Sequence, residues 1–236
     1  MNQKFLGIVL LTASFCILIS SAVRFNLAAT ASAEAGSPVT IIVDAGHGGE
    51  DGGTQSASGV LESKINLDIS LRLEQLLAFS GIKPLMLRSS DTALYSENCH
   101  SFSEKKVSDL KNRVSMVNAV ANGVLVSIHQ NHFSESKYSG AQVFYNGSDG
   151  SRQLAELMQS SLRCTLNPNN DRMIKKASSI YLMEHTECTG ILIECGFLSN
   201  QNEAYLLQQP SYQMKIAGAI CAALSEYLEG ERNLEV

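Results

Sequence analysis

Val39-Thr40-Ile41-Ile42-Val43-Asp44-Ala45-Gly46-His47-Gly48-Gly49-Glu50-Asp51-Gly52-Gly53 decides the fold class. Its first part is short, apolar and β-branched, the composition of a strand covered on both faces. Its second part is a glycine-rich strand exit, which lets backbone and ligand approach closely and can aim the His47 imidazole into an open site. The loop does not fit a phosphate cradle. No Gly-Lys-Ser/Thr follows it, and Gly46, Gly48 and Gly49 miss the G-x-G-x-x-G spacing.

Outward from this stretch, strand-like and helix-like segments alternate. Short β-forming runs at 39–44, 83–87, 124–129, 141–145, 180–183 and 191–195 predict strands. Helical stripes lie between them: Ile65, Ile69, Leu73, Leu76 and Leu77, with Gly81 at the capping position; then Leu110, Val114, Val117 and Ala121. A third helix covers 151–166, and the last buries Ile216, Ile220, Leu224 and Leu228. This pattern predicts an α/β domain: a mainly parallel, twisted sheet of about six strands with helices on both faces, plus an N-terminal apolar helix. In such sheets functional groups gather at the carboxyl ends of the strands, where His47, His129 and Glu194 fall. The aperiodic stretches 88–107 and 167–179 are the expected substrate-contacting loops.

With 236 residues and 44% hydrophobic content, the chain can build one sizeable core. The expected division is a signal or anchor segment and linker at 1–36, a catalytic domain at 37–230 and a tail at 231–236. Residues 5–23 carry no charge, and 19 residues at helical rise just reach across a bilayer core. The chain is therefore expected to be exported, its domain on the extracytoplasmic side. The length favours an uncleaved anchor holding it to the membrane; Ala31-Ser32-Ala33 is an acceptable cleavage site for the alternative, a secreted form. The net charge is −5, becoming −7 without residues 1–33, which argues against nucleic acid as a partner. Six cysteines contain no C-x-x-C pair, so cysteine zinc sites and thioredoxin-like chemistry are not indicated. Cys99 with Cys164 or Cys188 is left open as a disulfide.

A catalytic zinc takes three protein ligands and leaves one position for water. His47 after the first strand, Glu62 at the start of the first long helix and His129 at the end of a strand meet that need. Each alone has a plainer reading, Glu62 for instance as a first-turn acid favoured by the helix dipole; the joint pattern raises them. Period two puts Ser127, His129 and Asn131 on one face of their strand. His132 is the rival ligand and an expected pocket-wall residue, while His100 and His185 lie in polar loops. Glu50 and Asp51 are rival carboxylates near the metal, and Asp44 is expected to orient an imidazole. Glu194 sits within an apolar strand, where an unpaired carboxylate is costly. A raised pKa would suit it as a general base; the alternative is a buried ion pair with Arg88 or Arg113. No H-E-x-x-H and no G-x-S-x-G occurs.

Four segments carry a resemblance: Asp44-Ala45-Gly46-His47-Gly48-Gly49, Glu62-Ser63-Lys64-Ile65-Asn66-Leu67, Ser127-Ile128-His129-Gln130-Asn131 and Ile193-Glu194-Cys195-Gly196-Phe197-Leu198-Ser199-Asn200. In this order they resemble the zinc-dependent N-acetylmuramoyl-L-alanine amidases over about residues 39–229. The resemblance implies the phosphorylase/hydrolase-like amidase fold, a Zn2+ held by His47, Glu62 and His129, Glu194 as the catalytic carboxylate, and peptidoglycan as substrate. The layout, with Ser139-Gly140-Ala141-Gln142-Val143-Phe144-Tyr145 after the second histidine, is most similar to the spore-cortex members, which act in making muramic-δ-lactam for germination. Two departures stand out: Ala45 where many relatives have Pro, and His132 where they carry a small polar residue. Asn131, Gly48 and Gly49 are the candidate substrate-positioning residues, and an activating protein of unknown identity is a further conceivable partner. Two other functions compete: a zinc carboxypeptidase-like exopeptidase, which would want Arg88 or Arg113 to grip a terminal carboxylate, and a non-catalytic membrane-anchored wall-binding protein.

Overall fold

The computed structural model describes residues 39–234. The apolar stretch 5–23 and the Ala31-Ser32-Ala33 site lie outside the described residues, among which no helix is long and apolar enough to cross a membrane. Six strands form one sheet: β1 (Thr40–Ala45), β2 (Leu85–Met86), β3 (Gly123–Asn131), β4 (Gln142–Tyr145), β5 (Lys175–Lys176) and β6 (Thr189–Phe197). Their spatial order is β2-β1-β3-β6-β4-β5. All pairs are parallel except β4 with β6. The helices are α1 (Glu62–Phe79), α2 (Phe102–Asn118), α3 (Asp149–Leu166), α4 (Tyr181–His185), α5 (Gln201–Leu207) and α6 (Pro210–Leu234), the last running beyond the expected domain end at 230.

Each central strand feeds two cores. Ile41 and Val43, Val124, Val126 and Ile128, and Ile191 and Ile193 point to the larger core, shared with Ile65, Ile69 and Leu73 of α1, Leu154 and Met158 of α3 and Ile216 and Ile220 of α6. Ile42, Leu125 and Leu192 point to the smaller core with Val117 of α2 and Leu182 of α4. At about 1.5–3 kcal/mol for each large aliphatic side chain taken from water, this two-sided burial is what the unbroken apolar strands encode. Strand alternation also has a polar consequence. Asp44, Ser127, His129, Glu194 and Gln142 occupy the positions whose parity matches the smaller-core face, so they form a polar row at the carboxyl edge of the sheet.

Three expectations are corrected. Residues 180–183 are not a strand: Tyr181–His185 is a helical turn, in which Leu182 and Met183 are buried and Glu184 Oε1 accepts the Ser179 N–H at 2.6 Å. A short apolar run carries no period that separates the two states. The sixth strand is instead the exposed Lys175–Lys176 at the sheet edge, where charged residues discourage further pairing. The aperiodic stretch 88–107 is also shorter than expected, because α2 begins at Phe102 behind a capping box in which Ser101 and Glu104 satisfy each other's backbone N–H groups. The five described cysteines, Cys99, Cys164 and Cys188 among them, are free thiols.

Candidate metal centre

His47, Glu62 and His129 come from three elements and meet at the carboxyl edge of the sheet. Their ligand atoms lie within 4.8 Å of one another. His47 leaves β1 in the left-handed region (φ 61°), one of the few such residues that is not glycine, and strain of this kind collects at functional sites. Its Nε2 is 3.4 Å from Glu62 Oε2. His129 Nδ1 is 3.0 Å from Glu62 Oε1. Glu62 is almost wholly buried, and Thr54 N–H and Gln130 N–H donate to its two oxygens at 3.0 and 3.1 Å. Burial opposes its charge, yet the hydrogen bonds from His129 and His47 outweigh it and hold the carboxyl far below the usual carboxylate range. For His47 burial likewise opposes a charge, and Asp51 and Glu62 overcome it, raising the imidazole to about 9. The cluster therefore demands a positive charge at its centre, which a proton or a metal cation can supply.

The space for these side chains is made by missing side chains. A Cβ on Gly46 would stand 2.2 Å from the His129 ring, and one on Gly53 would stand 2.5 Å from Glu62 Oε2 and 2.7 Å from His47. Two imidazole nitrogens and a carboxylate oxygen in such a cradle are the donor set of a catalytic zinc site. Their backbone is braced by two buried guanidiniums. Arg88 donates to the carbonyls of Ala45, Gly46 and Ser63 at 2.7–3.0 Å. Arg113, 2% exposed, donates to His47 O at 2.8 Å and pairs with Asp44 and Asp109.

This corrects the expected role of Asp44. Its carboxylate faces Arg113 and the Ser127 hydroxyl, not an imidazole. The residue that orients His47 is Asp51, whose Oδ2 lies 2.9 Å from Nδ1 in a tight turn closed by Gly48 N–H to Asp51 O. In the sequence Asp51 stands among the rival carboxylates, and its spacing four residues after His47 is the signal for this contact. Replacing Arg113 with methionine should leave the Asp44 charge buried without its partner, costing about 3–5 kcal/mol. Calorimetry of the metal-free protein should then show a melting temperature lower by on the order of 10 °C. An unchanged melting temperature would mean that the pair carries no load.

Glu194 is the direct register partner of His129 across β3 and β6. Its Oε2 is sealed from solvent and has no hydrogen-bond partner. Burial pushes the carboxyl up to about 7, with the nearby His47 and His129 acting against that rise. Neither Arg88 nor Arg113 pairs with it, so the ion-pair reading of this carboxylate is not realised. Asn131 ends β3 after a register shift, half-buried, its carbonyl accepting Leu198 N–H at 2.8 Å. The N–H groups of Gly48 and Gly49 are both engaged inside the protein, by Asp51 O and by Asp91 Oδ1. His132 is exposed and lines a groove, as expected for a wall residue. His100 and His185 are exposed, the latter stacked on Tyr181, and Glu50 pairs with Lys105 at the surface.

Two hollows lie near this cluster, and the smaller is lined by two of its residues. The smaller, about 210 Å³, is lined by His47, His129, Asp51, Lys106, Asp109 and Arg113, among others, on the side of α2 and α4. The larger, about 920 Å³, is walled by 55–58, 132–134, Leu198, Ser199 and, from α5 and its end, Gln201, Ala204, Tyr205 and Gln208.

Residues 41–226 match the family described as N-acetylmuramoyl-L-alanine amidase. The germination-specific N-acetylmuramoyl-L-alanine amidase of Bacillus subtilis is 39% identical over 188 residues, 79% of this chain and 78% of that protein. The CwlD amidase from Clostridioides difficile, solved in complex with the GerS lipoprotein, superposes with a TM-score of 0.78 at 39% identity, covering 81% of this chain and 99% of that one. The catalytic domain of CwlV, an N-acetylmuramoyl-L-alanine amidase from Bacillus (Paenibacillus) polymyxa, has a TM-score of 0.68 at 26% identity, covering 81% of this chain and 99% of that one.

Proposed function

The chain belongs to the N-acetylmuramoyl-L-alanine amidase family, and from that premise we propose that it cuts the muramyl-L-alanine amide of peptidoglycan with one zinc ion held by His47, Glu62 and His129. The observation that carries the catalytic part is Glu194, a partly exposed carboxylate beside His129 whose inner oxygen has no hydrogen-bond partner. Bound zinc supplies Lewis acidity toward a carbonyl oxygen and makes water a better nucleophile near neutral pH. The protein supplies the rest. Glu194, its carboxyl pushed up by burial, would take the proton from the attacking water and return it to the leaving L-alanine nitrogen. Asp51 holds the His47 ring so that Nε2 faces the centre. Asn131, which ends β3 two residues after His129, would orient the amide.

The exopeptidase reading needs an arginine free to grip a terminal carboxylate. Arg88 and Arg113 are both buried and spent on backbone carbonyls and on Asp44 and Asp109. A purely wall-binding role leaves the ligand cluster and Glu194 without a purpose. Similarity to a germination-specific amidase supports a role in forming muramic-δ-lactam in the spore cortex, on the extracytoplasmic side of a membrane to which 5–23 would attach the chain. The relative solved in complex with a lipoprotein supports a protein partner for this chain.

Incubation of the zinc-loaded protein with purified peptidoglycan should release stem peptides bearing a new L-alanine amino terminus, with glycan strands uncut. Free terminal amino acids would point to the exopeptidase, and binding without product to the scaffold.

A further inference from the structure

We propose that the large groove beside the ligands is the glycan half of the substrate cleft, seating the N-acetylated amino sugars on the non-peptide side of the scissile amide. The assignment rests on the amidase reading above and adds a direction to it. None of the groove's lining residues is Asp, Glu, Lys or Arg; its polar groups are hydroxyls, amides and one imidazole, including Gln55, Ser58, His132 and Ser134. That is the complement of an uncharged sugar bearing hydroxyl and acetamido groups. In the uncut substrate the lactyl group is an amide and carries no charge either. The opposite hollow, about 210 Å³, is too small for two linked sugars, and its exposed Lys106 can meet a stem-peptide carboxylate, a group the neutral sugar lacks.

Two aromatic rings are left in the open there, Phe133 at 48% and Tyr205 at 65% exposure. An exposed ring loses the burial that normally stabilises it, and at the rim of an uncharged groove it offers a flat apolar face with which the C–H face of a pyranose can stack. The wall is also preorganised. Phe133 packs edge-on against Tyr138, centroids 4.9 Å apart at 89°. Its N–H donates to Ser199 Oγ at 3.1 Å, and Asn200 Nδ2 reaches Ser136 O at 2.9 Å, tying the 132–138 loop to the turn after β6. The third wall hangs from a ligand, since Glu62 N–H donates to Thr54 O and Ser56 N–H to Val60 O. The groove's volume of about 920 Å³ lies toward the top of the range for small-ligand sites, roomy enough for two linked sugars.

The test compares two soluble substrates carrying the same peptide, one on a single N-acetylmuramyl sugar and one on a tetrasaccharide, with the full zinc-loaded chain. The native chain should prefer the tetrasaccharide in kcat/KM. Tyr205→Ala and Phe133→Ala should each cut that preference about tenfold, chiefly through KM, the scale of one lost aromatic contact. Ala57→Trp, which fills the groove from its exposed wall, should do the same, while Phe79→Ala, at a 92% exposed position outside the groove lining, should leave the preference intact. If Phe133→Ala fails to fold, Tyr205→Ala and Ala57→Trp decide alone. A native chain indifferent to glycan length, or groove variants that keep its preference, would overturn the assignment while leaving the amidase reading in place. Failure of the native chain to cut either substrate at the lactyl-alanine amide would overturn the amidase reading and the groove with it.

Discussion

Purified protein should contain about one zinc per chain, and His47→Ala or His129→Ala should lose it, with affinity falling about 100-fold or more. The size of the effect follows from how the three ligands share one carboxylate. His47 and His129 lie 3.4 and 3.0 Å from the two oxygens of Glu62, so removing either ring leaves a buried carboxylate facing a void on one side. His132→Ala should retain the metal, because that ring faces the groove and belongs to no ligand cluster among the described residues. Asp51→Asn should hold it more weakly, by about 10- to 100-fold, through loss of the orienting carboxylate on His47. Elemental analysis and competition with a chelator read all four variants. Metal loss in His132→Ala but not in His129→Ala would reverse the ligand assignment.

Glu194→Gln should keep zinc and fold but lose about 10² to 10⁴ in kcat, the usual scale for a general acid or base. The amide has nearly the shape of the acid, and the Oε2 position makes no hydrogen bond that the change would break. What it cannot do is accept a proton from water. Zinc content and melting temperature measured beside the rate separate this outcome from a folding defect. Full activity in Glu194→Gln would end the role assigned to this carboxylate and turn attention to Glu50 and Asp51. Asp51 is already engaged by His47 and Lys106, and Glu50 by Lys105, so neither is a ready substitute.

Much of this protein is legible along the chain. The strands at 40–45, 123–131 and 189–197 and the helices α1, α3 and α6 show because each buries an apolar set at a regular period. Two misreadings have local causes. Tyr181–His185 is too short for a helical period to show, and Lys175–Lys176 has no apolar face at all. The start of α2 was written in Ser101 and Glu104, a capping box that hydrophobic periodicity alone does not reveal.

The site divides differently. His47, Glu62, His129 and Glu194 could be picked from the sequence because their chemistry is out of place locally: an imidazole among glycines, a carboxylate among isoleucines. The partner of each was decided only by the fold. Asp44 stands three residues before His47 yet turns to Arg113, because strand parity places its side chain on the face that α2 covers. Asp51 takes the imidazole instead, because a left-handed His47 and the Gly48–Asp51 turn bring the chain back on itself. The same holds for the two hollows, whose walls come from segments up to about 150 residues apart. Residue type and period are properties of neighbours in sequence, and so they can be read there. Which charge meets which, and which loops face each other across a cleft, depends on sheet order, register and close approach at Gly46 and Gly53, and these exist only once the chain has closed on its core.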